Sequence, residues 1–413
     1  MTSRLDQSLA EILHPMSVEE FKRDYYNKKP LVVRGKPGKF AHLYSREVWL
    51  ATPPKEPTVS FYAQDPQGVP VSREVKASEA QLADLYDAGL VTVGRVESHP
   101  PVGRLLEGLR AAFQVPSRKL AYLDSVLCFA SKDSVGWTAH WDVYHVFVLQ
   151  ISGQKRWRYT PSPLVRAPLT PPGTAHPGQP VATWDGQPVI APRPDDLVEL
   201  VLEEGDFFYM PPGTWHAPVA QGHSMHLAVA MGQRSVLDLM LDVIKQRLEP
   251  ELAWREPCPA VLDDAREGGE IPPQIAHLFA QKLQDLAHEL THFDPRHFHQ
   301  EWSANVAALG ALEPRVSSGV VVSAEDRLRR RGQGPLRYVI APSVEDRQEL
   351  EVFLYAAQGY ASLPADAVGF VRALAAHDEF RAADACAWDG GRPWEEVAGV
   401  LSALVNEGLL ERL

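Results

Sequence analysis

Thiols are scarce in this sequence. Only three cysteines, Cys128, Cys258 and Cys386, occur among its 413 residues. They lie far apart and include no CxxC pair, which excludes a disulfide framework and a thiolate zinc site. We therefore predict that the cysteines are small buried apolar residues.

Long apolar runs are also missing. Hydrophobic residues make up 45% of the chain, but no run approaches the roughly 20 apolar residues of a membrane-spanning helix. Residues 1–15 carry acidic side chains and no uninterrupted apolar segment, so they are typical neither of a secretory signal nor of a transit peptide. We expect a cytoplasmic protein that does not contact a membrane.

The chain lacks an excess of positive charge. Its 41 Lys and Arg residues face 53 Asp and Glu residues, a net charge of −12. This balance disfavours a general affinity for nucleic acid and leaves a basic substrate open. The one dense basic run contains Arg327, Arg329, Arg330 and Arg331 before a Gly-rich stretch, and we interpret it as a solvated linker.

The spacing of apolar residues along the sequence changes twice, near residues 234 and 320. Up to residue 232, short β-rich runs alternate with Pro and Gly clusters, which is the pattern of an antiparallel barrel or a double-sheet jelly roll. Residues 161–194 are so rich in Pro and Gly that we predict a long surface loop. Residues 234–312 repeat apolar side chains at helical spacing and need a partner surface, either the barrel or a second copy of the chain.

The C-terminal segment alternates strand and helix patterns. Two strand-like runs, LRYVIA and ELEVFLYAA, precede helical patterns over residues 370–376 and 394–413, an order that resembles a small winged-helix unit. Residues 344–413 hold five arginines against thirteen acidic residues, so this unit would repel phosphate. We expect a protein-contact or structural module and no direct DNA binding.

Two short motifs carry candidate metal ligands. The first, His140-Trp141-Asp142, runs into an apolar strand, and residues two apart on an extended chain point to the same face. The second is a Pro-Pro-Gly turn that leads to His216 at the start of another strand. Two imidazoles and one carboxylate leave coordination positions open, which is typical of non-haem iron(II) oxygenases and not of closed structural zinc sites. Imidazole suits several metals, so zinc or manganese remains an alternative.

Residues 120–232 resemble the JmjC oxygenase domain and, within that family, the ribosomal oxygenases, which hydroxylate ribosomal proteins. The strand after the His-x-Asp motif reads VFVLQISGQKRWR and is similar to the family's FILQLxGxKxWR. The strand after the distal histidine reads SMHL and is similar to the family's SxHLT. The resemblance implies that His140, Asp142 and His216 bind iron(II), with 2-oxoglutarate and dioxygen as cosubstrates.

The resemblance also implies contacts to the cosubstrate. Lys155 falls on the position that binds the far carboxylate of 2-oxoglutarate, where a fixed cation is physically sensible. Ser224 falls on a hydroxyl position that helps to hold the same carboxylate. Tyr144 shares a strand face with Asp142, and it is either a pocket or cosubstrate contact or an ordinary aromatic residue of the barrel core. We interpret His226 as a core or supporting residue, because a fourth protein ligand would fill a position that the reaction needs.

Ribosomal oxygenases contain a JmjC barrel, a helical dimerisation region and a C-terminal winged helix, in that order. We therefore expect an α+β chain with a cupin (JmjC) double-stranded β-helix, or jelly-roll barrel, over residues 1–232. A helical dimerisation region over residues 233–320 and a winged-helix-like domain over residues 321–413 would follow.

The leading hypothesis for function is a homodimer that hydroxylates a protein or peptide side chain, with a ribosomal protein as the favoured substrate. Two alternatives remain open. One is a hydroxylase of a natural-product precursor peptide or of a small molecule. The other is a non-catalytic cupin protein that acts through its interactions.

Overall fold

The computed structural model describes residues 4–64, 70–113, 125–132, 138–172, 176–181, 183, 186, 189–232, 235–257, 273–291, 293–300, 319–331, 336–342, 349–356 and 359–413. The chain divides into two units, Met1–Gln233 and Arg234–Leu413. None of the helices within the described ranges is long and apolar enough to cross a membrane.

Strands dominate the first unit. Its strands are β1 Leu31–Val33, β2 Lys55–Gln64, β3 Pro70–Lys76, β4 Val91–Arg95, β5 Ser125–Ser131, β6 His145–Tyr159, β7 Pro180–Val181, β8 Val189–Ile190, β9 Val198–Leu202, β10 Phe207–Met210 and β11 His216–Met231. Its helices are α1 Arg4–Leu13, α2 Val18–Asp24, α3 Arg46–Ala51, α4 Leu82–Asp87 and α5 Pro100–Phe113, and short 3₁₀ turns cover Glu79–Gln81 and Pro194–Asp196.

Nine of these strands form one antiparallel sheet. Their order is β1-β10-β6-β11-β5-β4-β2-β3, and β9 pairs with β6 outside this path. The longest pairing joins β6 to β11, from His216 opposite Tyr159 to Met231 opposite His145. The β-rich runs of the sequence lie in β1, β4, β6, β10 and β11, so the predicted antiparallel sheet is confirmed.

The central strands are apolar on both faces because the sheet is covered on both sides. In β10, Phe207 and Tyr209 enter the larger hydrophobic core together with α1, α2 and α5. Their neighbours Phe208 and Met210 point the opposite way and pack with Trp157 in a second core. Alternate side chains of a strand point to opposite faces, so a strand between two cores reads as a continuous apolar run.

A buried carboxylate ties the edge strand to the turn before β10. Asp206 is 2% exposed, and its oxygens accept hydrogen bonds from Arg34 Nη1 at 2.6 Å, Gly35 N at 2.9 Å and Glu203 N at 3.0 Å. The preceding Gly205 has φ +89°, and an added Cβ would lie 2.0 Å from the Lys36 carbonyl oxygen. Gly205 and Asp206 therefore connect the residues after β1 to the turn before β10, and only glycine fits at position 205.

Part of the predicted surface loop is buried, which corrects that prediction. Within residues 161–194, Val165, Val181 and Val189 are buried in a small apolar cluster with Trp141 and Trp215. The high Pro and Gly content led to the prediction of an exposed loop. The valines are buried because they pack against the large indole rings of Trp141 and Trp215, which follow and precede the motif histidines.

The second unit contains helices and two small sheets. Its helices are α6 Val236–Leu248, α7 Leu252–Arg255, α8 Pro273–Thr291, α9 Val368–Ala376 and α10 Trp394–Asn406, and 3₁₀ turns cover Ala365–Ala367 and Ala382–Gly390. Its strands are β12 Arg327–Arg330, β13 Arg337–Pro342, β14 Leu350–Ala356, β15 Gly359–Pro364, β16 Glu379–Arg381 and β17 Leu410–Arg412. They form the sheets β16-β12-β17 and β13-β14-β15.

Two predictions for the second unit were wrong. The helix predicted over residues 394–413 ends at Asn406, because Gly408 adopts φ +76° and the chain turns into β17. The basic run predicted as a linker is strand β12, in which Leu328 is fully buried and Arg329 pairs with Glu411. Arg327 and Arg329, on either side of Leu328, are exposed and pair with Glu379 and Glu411 of the neighbouring strands, so their charge is balanced within the sheet.

Several expectations stay predictions. The described residues do not test a dimerisation region, a winged helix or the three domain boundaries, and residues 258–272 and 301–318 lie outside the described ranges. Of the three cysteines, Cys128 is buried as expected and Cys386 is only partly buried. Cys258 lies outside the described residues.

We expect Asp206→Asn to lower the free energy of unfolding of the first unit by about 3 kcal/mol, because one donor amide would replace an oxygen that accepts two hydrogen bonds. Urea denaturation followed by tryptophan fluorescence measures this change. Glu204→Gln is the matched control, since Glu204 accepts only an exposed hydrogen bond from Gly38, and it should cost less than about 0.5 kcal/mol. Equal effects of the two substitutions would contradict the structural role of Asp206.

Candidate metal centre

Backbone hydrogen bonds bring the two candidate motifs together. His140 and His216 form an isolated antiparallel bridge, in which His140 N donates to His216 O at 3.0 Å and His216 N donates to His140 O at 2.7 Å. Gly213 N, in the Pro-Pro-Gly turn, donates to the Asp142 carbonyl oxygen at 2.9 Å. The main chain therefore sets the separation of the three side chains.

The side chains of His140, Asp142 and His216 converge. Each offers one possible ligand atom, and these atoms lie within 4.8 Å of one another. The distance between His216 Nε2 and Asp142 Oδ2 is 3.5 Å. Among the described residues, this is the group of His, Cys, Asp and Glu side chains with metal-binding geometry.

Both imidazoles are oriented by their own backbone. His140 Nδ1 lies 2.7 Å from the Thr138 carbonyl oxygen, and His216 Nδ1 lies 2.9 Å from the Thr214 carbonyl oxygen. Because a carbonyl oxygen only accepts, each Nδ1 must carry the hydrogen, and each Nε2 is left with a lone pair for a metal. These two contacts of the folded backbone thus select the tautomer that coordinates through Nε2.

Burial keeps His216 neutral. Its side chain is buried, and desolvation together with the neighbouring His140 lowers its pKa to about 4. Neutral imidazole is the form that binds metal. Two neutral imidazole nitrogens and one carboxylate fit a divalent first-row metal ion that keeps open coordination positions.

The three side chains face a cavity of about 250 Å³ in the first unit. Lys155 lines its wall, is 1% exposed, and has its Nζ 5.7 Å from the centre of the Phe129 ring. Burial lowers the pKa of Lys155 to about 7, and no carboxylate in the described part of the chain forms an ion pair with it. A buried cation without a counter-ion fits an anionic ligand.

The other sequence-predicted residues lie at different positions around the cavity. Tyr144 lines the cavity and forms a hydrogen bond with Asp142, and burial raises its pKa. Ser224 is fully buried, accepts a hydrogen bond from Gln150 Nε2 at 3.1 Å, and is not among the described residues that line the cavity. His226 lines the cavity and stacks on Phe129 with the ring centres 4.8 Å apart.

Sequence reasoning missed much of the cavity wall, including the acidic residue Glu74 and the aromatic residues Phe129 and Trp157. Trp157 follows Lys155 by two positions in the same strand, so strand alternation would have assigned it to the same face. Phe129 and Glu74 lie in strands without a motif, and only the pairing of β5 with β11 and the approach of the β2–β3 hairpin bring them to the cavity.

Comparison with known proteins identifies one domain of the chain. A family model of the JmjC domain matches residues 117–239. The chain therefore carries a JmjC domain.

The chain is similar to particular proteins over a longer stretch. It is 27% identical over 270 residues to the uncharacterized protein YxbC of Bacillus subtilis, covering 62% of this chain and 80% of that protein. It is 25% identical over 320 residues to ribosomal oxygenase 1 of Gallus gallus, covering 69% of this chain and 47% of that protein. The chain thus spans about half the length of this ribosomal oxygenase.

Solved structures share the fold. The structure of YcfD, a ribosomal oxygenase from Escherichia coli in complex with cobalt and 2-oxoglutarate, matches with a TM-score of 0.50 and 18% identity. The match covers 96% of this chain and 98% of that chain.

We expect the protein to bind a single cobalt(II) ion per chain, and His140→Ala or His216→Ala to weaken binding by more than about 100-fold. Loss of a residue that only supports a ligand typically costs 10–100-fold, so loss of a ligand should cost more. Calorimetric titration measures the affinity. His223→Ala is the control, because His223 contacts Tyr86 and Ser152 instead; an equal loss in this variant would argue against the assigned centre.

Proposed function

We propose that the protein is an iron(II)- and 2-oxoglutarate-dependent oxygenase that hydroxylates a protein or peptide side chain. The observation that carries this proposal is a single cavity with two oriented imidazoles, one carboxylate and a buried lysine that forms no ion pair with any described carboxylate. A metal site alone would not need the lysine, and a structural metal site would not leave coordination positions open.

Each residue has a role in this proposal. His140, Asp142 and His216 would hold iron(II). The Lys155 ammonium would pair with the far carboxylate of 2-oxoglutarate, and Ser224 would donate a hydrogen bond to the same group. Tyr144 would orient the free side of the Asp142 carboxylate. Iron(II) with 2-oxoglutarate and dioxygen supplies the oxidising chemistry, while the apolar wall excludes water and positions the substrate C–H bond.

A ribosomal protein is the favoured substrate. The similarity to ribosomal oxygenase 1 extends over 69% of this chain, well beyond the residues around the cavity. Ribosomal proteins are commonly basic, and the net charge of −12 would attract such partners. We propose the cytoplasm as the site of this encounter.

We also propose that the chain dimerises through its α6 and α8 helices. Leu237 and Leu241 on α6 are 63% and 56% exposed, and Phe279 and Leu283 on α8 are 52% and 66% exposed. Apolar side chains repeated on one face of two helices are typical of a buried interface. We further propose that residues 321–413 form a winged-helix-like module that contacts protein.

Anaerobic titration of the iron(II)-loaded protein with 2-oxoglutarate tests the chemistry. The chelate should give a metal-to-ligand charge-transfer band, which His140→Ala should abolish because it removes a ligand. Lys155→Ala should weaken 2-oxoglutarate binding by roughly 10- to 100-fold, since a buried charge-assisted contact is lost. A well-loaded wild-type protein without the band would rule out the oxygenase and favour a cupin interaction protein.

The substrate is tested separately, by mass spectrometry of ribosomal proteins incubated with the active protein. One of them should gain the mass of one oxygen atom, and the His140→Ala protein should leave it unchanged. An active enzyme that modifies none of them would favour a precursor peptide or a small molecule as substrate.

The affinity for 2-oxoglutarate should fall as pH rises above about 7. The lowered pKa means that Lys155 is an ammonium ion below about pH 7 and a neutral amine above it, while both carboxylates of the ligand stay ionised. The dissociation constant should therefore rise by about tenfold per pH unit between about pH 7 and pH 9. In Lys155→Arg the guanidinium stays charged, so the affinity should be weaker overall and nearly independent of pH; a parallel pH dependence in both proteins would exclude Lys155 as its source.

A Leu237→Glu/Leu283→Glu variant should be monomeric in sedimentation velocity, because two charges would have to be buried in the interface. Val321→Glu is the control, since Val321 is 78% exposed outside these helices. A wild-type monomer, or a dimer that survives the double substitution, would contradict dimerisation through α6 and α8.

A further inference from the structure

A fully buried amide in β6 contacts one of the two residues assigned to the cosubstrate. Gln150 belongs to the motif VFVLQISGQKRWR and is 0% exposed. Its Nε2 donates hydrogen bonds to the Ser152 carbonyl oxygen at 3.0 Å and to Ser224 Oγ at 3.1 Å. The proposed function so far gives Gln150 no role.

The chemistry of these partners determines the direction of each hydrogen bond. A carbonyl oxygen only accepts, so the nitrogen of the Gln150 amide must face Ser152. The second amide hydrogen then points to Ser224, and the Ser224 oxygen acts as its acceptor. The hydroxyl hydrogen of Ser224 remains free to donate, and no described residue accepts it.

Other buried polar atoms in the same place also lack partners. Ser131 is fully buried and pairs directly with Ser224 across β5 and β11. Ser131 Oγ and Gln150 Oε1 have no hydrogen-bond partner among the described residues. Buried polar groups are normally satisfied, so unpaired ones indicate a missing ligand or an ordered water.

These groups lie next to the lysine end of the cavity. The Ser131–Ser224 pair is two residues along β5 and β11 from the Phe129–His226 pair. Lys155 Nζ lies over the Phe129 ring, and its charge lowers the pKa of His226 further. The Lys155 ammonium at the cavity wall and the Ser224 hydroxyl buried beside that wall are two donors for which the described residues offer no acceptor, which fits one carboxylate.

We infer that Gln150 is a positioning residue, which holds the Ser224 hydroxyl so that its hydrogen is donated to the far carboxylate of 2-oxoglutarate. This inference rests on the proposed function. Gln150 acts through Ser224 and does not itself touch the cosubstrate.

Two ligands that differ only at the far carboxylate test the inference. The 2-oxo acid 2-oxobutyrate keeps the metal-chelating end of 2-oxoglutarate and lacks the second carboxylate. Calorimetric titration of the manganese(II)-loaded protein with each ligand gives two dissociation constants, and their ratio measures the contribution of the far carboxylate without any turnover.

We expect Gln150→Leu to weaken 2-oxoglutarate binding by about tenfold, because a hydrogen bond to a charged group is misdirected. Binding of 2-oxobutyrate should stay unchanged. Ser224→Ala, which removes a single oxygen atom and should fold normally, is expected to give at least the same loss. The double variant should lose no more than Ser224→Ala alone, because both substitutions remove one contact.

Gln154→Leu is the matched control, since Gln154 lies in the same strand and its amide contacts the exposed Glu203. It should change neither dissociation constant. If Gln150→Leu weakens both ligands equally, or if its effect adds fully to that of Ser224→Ala, the positioning role is wrong. A wild-type protein that does not prefer 2-oxoglutarate to 2-oxobutyrate would instead overturn the carboxylate site, and the inference with it.

Discussion

The backbone bridge between His140 and His216 is the constraint on which the rest of the site depends. Its two hydrogen bonds join the segment before β6 to the first residue of β11, and β6 and β11 pair from Tyr159 opposite His216 to His145 opposite Met231, with two register shifts between. Any slip of this register by one residue would turn every inward side chain outward. The metal ligands, Lys155 and the strand face that lines the cavity therefore form one unit, and none of them can move independently of the bridge.

Burial of charge is the second organising feature of the site. The sheet buries Lys155 in an apolar wall where no carboxylate of the described residues pairs with it, and burying an unpaired charge costs free energy. A dicarboxylate would offset that cost, because its far end would bring the missing negative charge to the lysine. Under the proposed function the same reasoning would apply to the hydroxyl hydrogen of Ser224, for which the described residues offer no acceptor and which would be donated to the same anion.

The sequence alone predicted those features that depend on residues close together in the chain. The short apolar run VFVLQI predicts a strand, and the His-x-Asp spacing puts two candidate ligands on one face. It was less informative about features that packing between distant segments determines, such as which residues are buried. The arginine run is a strand because Leu328 within it is buried. Gly408 ends the last helix earlier than predicted, and Trp141 and Trp215 bury valines of the Pro-rich loop. The burial of Leu328 and of the valines depends on residues far away in the chain, which local patterns do not contain, whereas the helix end is set locally by the backbone of Gly408.

By itself, the sequence determined which side chains are available as ligands, because residue type and short spacing already limit what His140, Asp142, His216 and Lys155 can do. Only the tertiary structure decided which histidine nitrogen is free, since that depends on the Thr138 and Thr214 carbonyl oxygens. It also decided which residues join the motifs around the cavity, because Glu74 and Phe129 arrive there through strand pairing. The physical reason is that chemical identity is local, whereas burial and hydrogen-bond direction are properties of surroundings that only the folded chain creates.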